Sequence, residues 1–262
     1  RSMKKYRLLI LALIAFSFTP CLCLADQSSF RDVMAEGDSA YGRFDSKVAM
    51  NSYEKALQAD PESYEAAWKL ARVLIDVGEK LPSKQERREL YLKANKTARR
   101  AVEIDPAGSK GHLYLAISLG RVALDEGGKE KVKLSKEIKQ EVDKALELNP
   151  SEDVAWHVLA LWNRNVATLS WIERKFADVF LGGIPKEASV EKALECLKRA
   201  ASLKDSHINH HLELGITYDM LGRREEAIKE YRRVIELPIA DADDEENKAY
   251  AEKGLQESLK PR

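Results

Sequence analysis

Residues 143–150 read DKALELNP, and near copies stand at 99–106 (RRAVEIDP) and 54–61 (EKALQADP). Each copy carries alanine-rich helical sequence into an Asp-Pro or Asn-Pro step. Proline disfavours helix at the residue before it, so each copy ends a helix and opens a turn. KRAASLKD at 198–205 and RRVIELP at 232–238 are degenerate versions of the same stop. Recurrence of one helix end along 262 residues marks an internal repeat, and the unit it closes is a helical hairpin. Composition agrees: charged residues make up 33% and hydrophobic residues 44%, with only 13 Gly and 8 Pro, the balance of a water-soluble helical protein.

The unit resembles the tetratricopeptide repeat. Residues 30–63 match its length, with Gly37 at the helix crossing, Ala49, Tyr53 and Ala56 on the second helix, and Pro61 at the end. Residues 208–241 match again through Leu214, Gly215, Tyr218, Ala227 and Tyr231, with Pro238 within one position. Small residues belong at these crossings because helices approach to about 8 Å only where the contacting side chains are small. Three longer units stand between. Residues 64–107 carry Trp68, Leu70, Ala71, Ala94 and Ala101, with EKLPSKQERRE expected to lengthen the connection between the two helices. Residues 108–152 carry Leu115, Ala116, Ala145 and Pro150, with Gly127-Gly128 and a lysine-rich run in the connection. Residues 153–207 carry Trp156, Leu159, Ala160, Ala193 and Ala200. In this fourth unit Ala155, Leu159, Trp162, Val166, Leu169, Ile172, Phe176 and Phe180 recur at steps of three or four. They predict one helix of about 28 residues, roughly 42 Å long, stopped by Gly182, Gly183 and Pro185. Residues 242–260 read as a polar capping helix, which an array needs at its end. The expected fold is all-α: a tetratricopeptide-like hairpin array (α-solenoid) of about five repeats, with an elongated helix in repeat four and a C-terminal cap.

Lys plus Arg and Asp plus Glu both number 43, so the chain is formally neutral, which argues against a generic nucleic-acid binder. Arg1 and Ser2 precede Met3 and read as a cloning scar. Lys4, Lys5 and Arg7, the apolar run Leu8–Phe18, and Cys23-Leu24-Ala25 before Asp26 have the order of a secretory signal. The expectation is cleavage after Ala25, a single domain over 26–262, and a periplasmic or secreted protein. An uncleaved N-terminal membrane anchor is the alternative. Cleavage leaves a mildly acidic chain with one cysteine, Cys196. Its place in a helical pattern predicts a buried thiol rather than a reactive one.

A narrower likeness lies in repeat four. Ala155-Trp156-His157-Val158-Leu159, Ser170-Trp171-Ile172-Glu173-Arg174-Lys175 and Gly183-Ile184-Pro185 resemble the regulator of microtubule dynamics family, as do Leu214–Tyr218 and the tail around Asp243, Asp244 and Lys248. The resemblance covers most of residues 30–260. It implies an all-helical adaptor, with tubulin association or lipid binding attributed to animal members.

The chain has no Gly-rich phosphate loop, Cys-x-x-Cys, Gly-x-Ser-x-Gly or His-Glu-x-x-His, so neither an enzyme nor a cofactor is expected. His207 and His211, four apart, share a helix face and suggest either a metal pair or a polar helix start; no metal site is assigned. His112 and His157 read as corresponding early positions of two first helices. In tandem hairpins the first helices line a concave face. There the alignment places Trp68, Arg72 and Ile75, then Tyr114, Ile117 and Arg121, then His157, Leu161, Arg164 and Asn165, then Ile216 and Asp219. Aromatics and arginines are the usual anchors of interfaces. Arg72, Arg121 and Arg164 suit a peptide carboxylate, or else acids on neighbouring helices. Trp156, Trp162 and Trp171 read as core or as an aromatic box. Lys129–Lys139 reads as a solvated helix face or a contact for anionic lipid, and the acids of 241–246 as favouring a helix N-terminus. The chain is thus expected to bind a protein or peptide in the groove. Carriage of a lipid or small apolar ligand, and a structural spacer, are the alternatives.

Overall fold

The computed structural model describes residues 21–124, 126–180, 183 and 188–260. Twelve helices and no strand occur among them. They are α1 (Cys21–Gly42), α2 (Ser46–Ala59), α3 (Tyr64–Glu79), α4 (Lys84–Ile104), α5 (Ser109–Ala123), α6 (Gly128–Leu148), α7 (Asp153–Ala167), α8 (Trp171–Phe180), α9 (Val190–Leu203), α10 (Ile208–Met220), α11 (Arg224–Glu236) and α12 (Asp244–Leu259). Most of the expected signal segment lies outside the described residues, as do Gly182 and Pro185. The expected cleavage point after Ala25 falls within α1. No described helix is long and apolar enough to cross a membrane.

The repeated Asx-Pro step has a local cause. Asp60, Asp105 and Asn149 each end a helix, and each side-chain oxygen accepts the N–H two residues on, from Glu62 (3.1 Å), Ala107 (3.0 Å) and Ser151 (3.1 Å). The proline between them needs no donor, so the turn closes without an orphaned group. The next helix starts at once, and Ser63 caps α3 by accepting from Ala66 N.

Helices pair as hairpins α1–α2, α3–α4, α5–α6, α7–α9 and α10–α11, each packed on the next, and α12 closes the array against α10 and α11. Three hairpins set a tyrosine of the second helix on a glycine of the first. A Cβ on Gly37 would lie 2.5 Å from the Tyr53 ring, one on Gly78 2.7 Å from Tyr91, and one on Gly215 2.5 Å from Tyr231. Tyr53 is fully buried and its hydroxyl donates to Asp38 at 2.8 Å, so the ring cannot move aside.

Three expectations about length are corrected. The long helix of repeat four is two helices, parted at Thr168–Ser170. Ser170 starts the second with a reciprocal cap: its N–H and hydroxyl donate to the Glu173 carboxylate, and its hydroxyl accepts from Glu173 N. Arg174 closes the first by donating from Nε to Leu169 O and from its guanidinium to Ala167 O. The apolar period of the sequence runs on through the break, so periodicity alone conceals it. Neither middle unit has a long connection. Most of EKLPSKQERRE belongs to α4, and the lysine-rich run belongs to α6, each a helix of 21 residues.

The buried-thiol reading of Cys196 holds. Cys196 is buried, and burial pushes its thiol up. Lys131, Lys133 and Lys139 pair with Glu173, Glu130 and Asp143 on the exposed side of α6.

Gly37→Val is expected to cost about 1–3 kcal/mol, the usual penalty of overpacking, read as a lower denaturant midpoint. Gly42→Ala, where a Cβ meets nothing within 4 Å, should leave the midpoint unchanged.

Candidate functional site

The first helices of successive hairpins set one face. On α3, Trp68, Arg72, Asp76 and Glu79 follow at helical spacing; α5 adds Tyr114, Ile117 and Arg121, and α7 adds His157, Leu161, Arg164 and Asn165. Trp68 and Tyr114 stack across α3 and α5 with ring centres 5.7 Å apart and planes within 5°. Arg72 lies beside this stack, its guanidinium carbon 3.6 Å from the centre of the Tyr41 ring of α1. Its Nε is shielded from solvent and has no hydrogen-bond partner among the described residues.

The three arginines divide. Arg121 is ion-paired with Glu79 of α3, and Arg164 with Glu213 of α10 at 2.5 Å, donating also to Thr217 Oγ1 at 3.1 Å. Both thus tie neighbouring helices together, although Arg121 Nε is, like that of Arg72, buried with no hydrogen-bond partner among the described residues; Arg72 itself faces the Tyr41 and Trp68 rings, with the Asp76 carboxyl acting on its charge. Ile117 and Leu161 are half-buried, Asn165 is exposed, and His157 is buried. Asp219 serves the fold: Tyr231 and Ser258 donate to it at 2.7 and 3.2 Å.

The acids of 241–246 do more than favour a helix dipole. Asp244 is buried, and its carboxylate accepts the N–H groups of Ala240 (2.8 Å) and Asp241 (2.7 Å), fixing the turn before α12. Asp243 then pairs with Lys80 at the end of α3, and Asp241 faces His207 at 3.6 Å. The cap segment therefore reaches back across the array to the end of the groove built by α3.

Burial pushes the Asp76 carboxyl up to about 7, with the nearby Glu79 carboxylate adding to the rise. The Tyr41 hydroxyl and the Arg72 guanidinium oppose it. Burial likewise raises Glu79, against the pull of Arg121.

Two histidine expectations change. His112 and His211 are the corresponding pair, not His112 and His157. His112 bridges Glu141 (2.6 Å) and Pro106 O (3.1 Å), and His211 bridges Glu230 (2.7 Å) and Asp205 O (2.9 Å). Trp156 holds the same place in repeat four, its indole donating to Pro150 O at 2.9 Å. His207 and His211 do not converge. His207 instead meets His210 and Asp153, while His210 also touches His157. The tryptophans form no box: Trp162 is buried and donates to Ser135 O at 2.7 Å, whereas Trp171 is 67% exposed. An open, mainly apolar cleft of about 80 Å³ lies beside Trp162, between Ala123, Leu124, Val132, Val166 and Leu169, with Lys131 and Asn165 also on its wall.

The family described as regulator of microtubule dynamics protein 1-3 matches residues 33–260. Regulator of microtubule dynamics protein 1 of Bos taurus is 33% identical over 161 residues, covering 61% of this chain and 50% of that protein. The Mus musculus protein of the same name is 29% identical over 196 residues, covering 74% and 63%. The chain thus spans about half to two thirds of the length of these two relatives. Among solved structures, a thermophilic TPR protein of Thermus thermophilus superposes with a TM-score of 0.60 at 22% identity, over 87% of this chain and 99% of that one. Pseudomonas aeruginosa PilF gives 0.52 at 16% identity, over 90% and 94%. These structural likenesses establish the tetratricopeptide-like fold.

The Asp76 shift has a sign. Between about pH 4 and 7 the unfolded chain has released a proton that the folded chain retains, so stability falls as pH rises through that window. Asp76→Asn removes this term. Its stability relative to the unsubstituted protein should rise by about 1–2 kcal/mol between pH 5 and pH 8, below full conversion of the shift because the half-buried carboxyl is screened by solvent. Paired thermal melts at the two pH values measure the difference.

Proposed function

The chain belongs to the family of regulator of microtubule dynamics proteins 1-3, and from that premise we propose that it is a non-enzymatic interaction module. It holds a peptide segment of a partner protein along the face of α3, α5 and α7. Arg72 receives a carboxylate of that segment, and the Trp68–Tyr114 stack supports its apolar part. The observation that carries this reading is Arg72 itself: a shielded guanidinium, ringed by aromatic side chains, with a donor left unused. An unused buried donor costs about 1–3 kcal/mol, and a bound carboxylate removes that cost. Arg121 and Arg164, already paired, keep the face rigid and need not touch the ligand. The chain's own acidic cap segment supports the chemistry, since Asp243 already meets Lys80 at the end of the same face. Ile117, Leu161 and Asn165 line the rest of the path, and His157 backs it. Regulation of microtubule dynamics is what the relatives' names state. For this chain, co-sedimentation with polymerised tubulin tests whether that partner class applies.

Panning the purified protein against peptides with acidic or free C-terminal ends should enrich a binding set. Arg72→Ala is expected to weaken the enriched peptides roughly 10- to 100-fold, the worth of a charge-assisted hydrogen bond, with helical content unchanged by circular dichroism. Arg72→Lys should not restore binding, because an ammonium cannot make the planar two-point contact. No enrichment, or equal binding by Arg72→Ala, overturns the reading.

The basic and apolar N-terminal run supports placing the module outside the cytoplasm. N-terminal sequencing of the native protein is expected to begin at Asp26, and a native protein retaining Lys4-Lys5 overturns cleavage.

A further inference from the structure

Three donor atoms from two repeats converge at the rim of the array. Asp153 is the first residue of α7, His207 caps α10, and His210 stands in the first turn of α10. His210 Nε2 lies 3.0 Å from Asp153 Oδ2 and 2.9 Å from His207 Nδ1, and His207 Nδ1 lies 3.7 Å from Asp153 Oδ2. A tetrahedral ion with bonds of about 2.0–2.2 Å spaces its donors about 3.3–3.6 Å apart, and the three observed edges straddle that range. We propose that Asp153, His207 and His210 form a binding site for a divalent transition-metal ion of the zinc class.

Hydrogen-bond accounting points the same way. His210 Nε2 faces both Asp153 and His207 but has at most one proton to share between them. His207 Nε2 faces Asp241 at 3.6 Å, so a proton held there leaves Nδ1 bare toward the cluster. On the other ring, His210 Nδ1 meets His157 Nδ1 at 3.0 Å and, with the ion bound at Nε2, donates to it. Asp241 behind one ligand and His157 behind the other are the outer partners that orient metal-bound imidazoles. His112 and His211 differ, for both of their ring nitrogens are taken by a glutamate and a backbone carbonyl.

Charge and access also suit an ion. The carboxylates of Asp153 and Asp241 put two negative charges at the cluster, with Lys204 acting on both and Arg72 on Asp241. The side chain of His210 is fully buried, while those of His207 and Asp153 keep 17% and 18% of their exposure. That leaves an entry path and a fourth position for water or a donor from a partner. Two imidazoles and one carboxylate favour zinc-class ions over magnesium and calcium, which take mainly oxygen. A bound ion would join repeat four, repeat five and the segment leading to α12.

Chelator-treated full-length protein, titrated with Zn²⁺ against a chromophoric chelator, should bind one ion with low-micromolar affinity or tighter. Excess Mg²⁺ or Ca²⁺ should not compete. His207→Ala is expected to abolish this binding, Asp241→Ala to weaken it roughly 10- to 100-fold, and His112→Gln to leave it unchanged. X-ray absorption of the zinc-loaded unsubstituted protein should show two imidazoles with oxygen, which keeps the test decisive if a variant fails to fold. Absence of one-to-one binding below about 100 μM, undiminished binding by folded His207→Ala, or a sulfur shell from the cysteines would each overturn the site.

Discussion

Three of the five hairpins rest on a bare backbone meeting an aromatic ring. Tyr53, Tyr91 and Tyr231 lie against Gly37, Gly78 and Gly215 at separations no Cβ would tolerate. The ring fills the volume that two side chains would otherwise contest, and the two helices of the hairpins α1–α2, α3–α4 and α10–α11 come together closely. Tyr53 and Tyr231 then spend their hydroxyls on Asp38 and Asp219, so neither ring can slide. The hairpins stack in one sense, and the first helices fall side by side. The groove follows from that contact rather than from any feature of its own lining.

The face so formed is held by charge as well as by packing. Glu79–Arg121 and Glu213–Arg164 each span two neighbouring first helices, and Asp38 and Glu65 hold Lys69 from either side. Half-buried ion pairs of this kind add little net stability, but breaking one strands its partner. They serve to fix the register of the helices and so hold Trp68, Tyr114 and Arg72 in place. Arg72 differs in that the Tyr41 and Trp68 rings lie over its guanidinium, while the Asp76 and Asp38 carboxyls act on its charge.

Much of this was legible in the chain. The Asx-Pro stops announce the turns because the mechanism is local: one side-chain oxygen, one proline, one N–H two residues away. The alanine and glycine positions announce the crossings because only small residues fit there. The Ser170–Glu173 cap was equally local, written as Ser-Trp-Ile-Glu, but an unbroken apolar period masks it. The long α4 and α6 were hidden for the opposite reason, since strongly charged sequence resembles loop until its place on an exposed helix face is known.

Sequence by itself determined the repeat, the helical hairpins and the side chains available to the groove, because each depends on contacts within a few residues or on a period of three to four. Only the tertiary structure decided how those side chains are spent. Arg121 finds Glu79, Arg164 finds Glu213, and His210 gathers Asp153, His157 and His207, all across separations of 42 to 57 residues or within a turn that needs those neighbours to have meaning. Such partners are chosen by the superhelical path of the whole array, and no local pattern encodes that path.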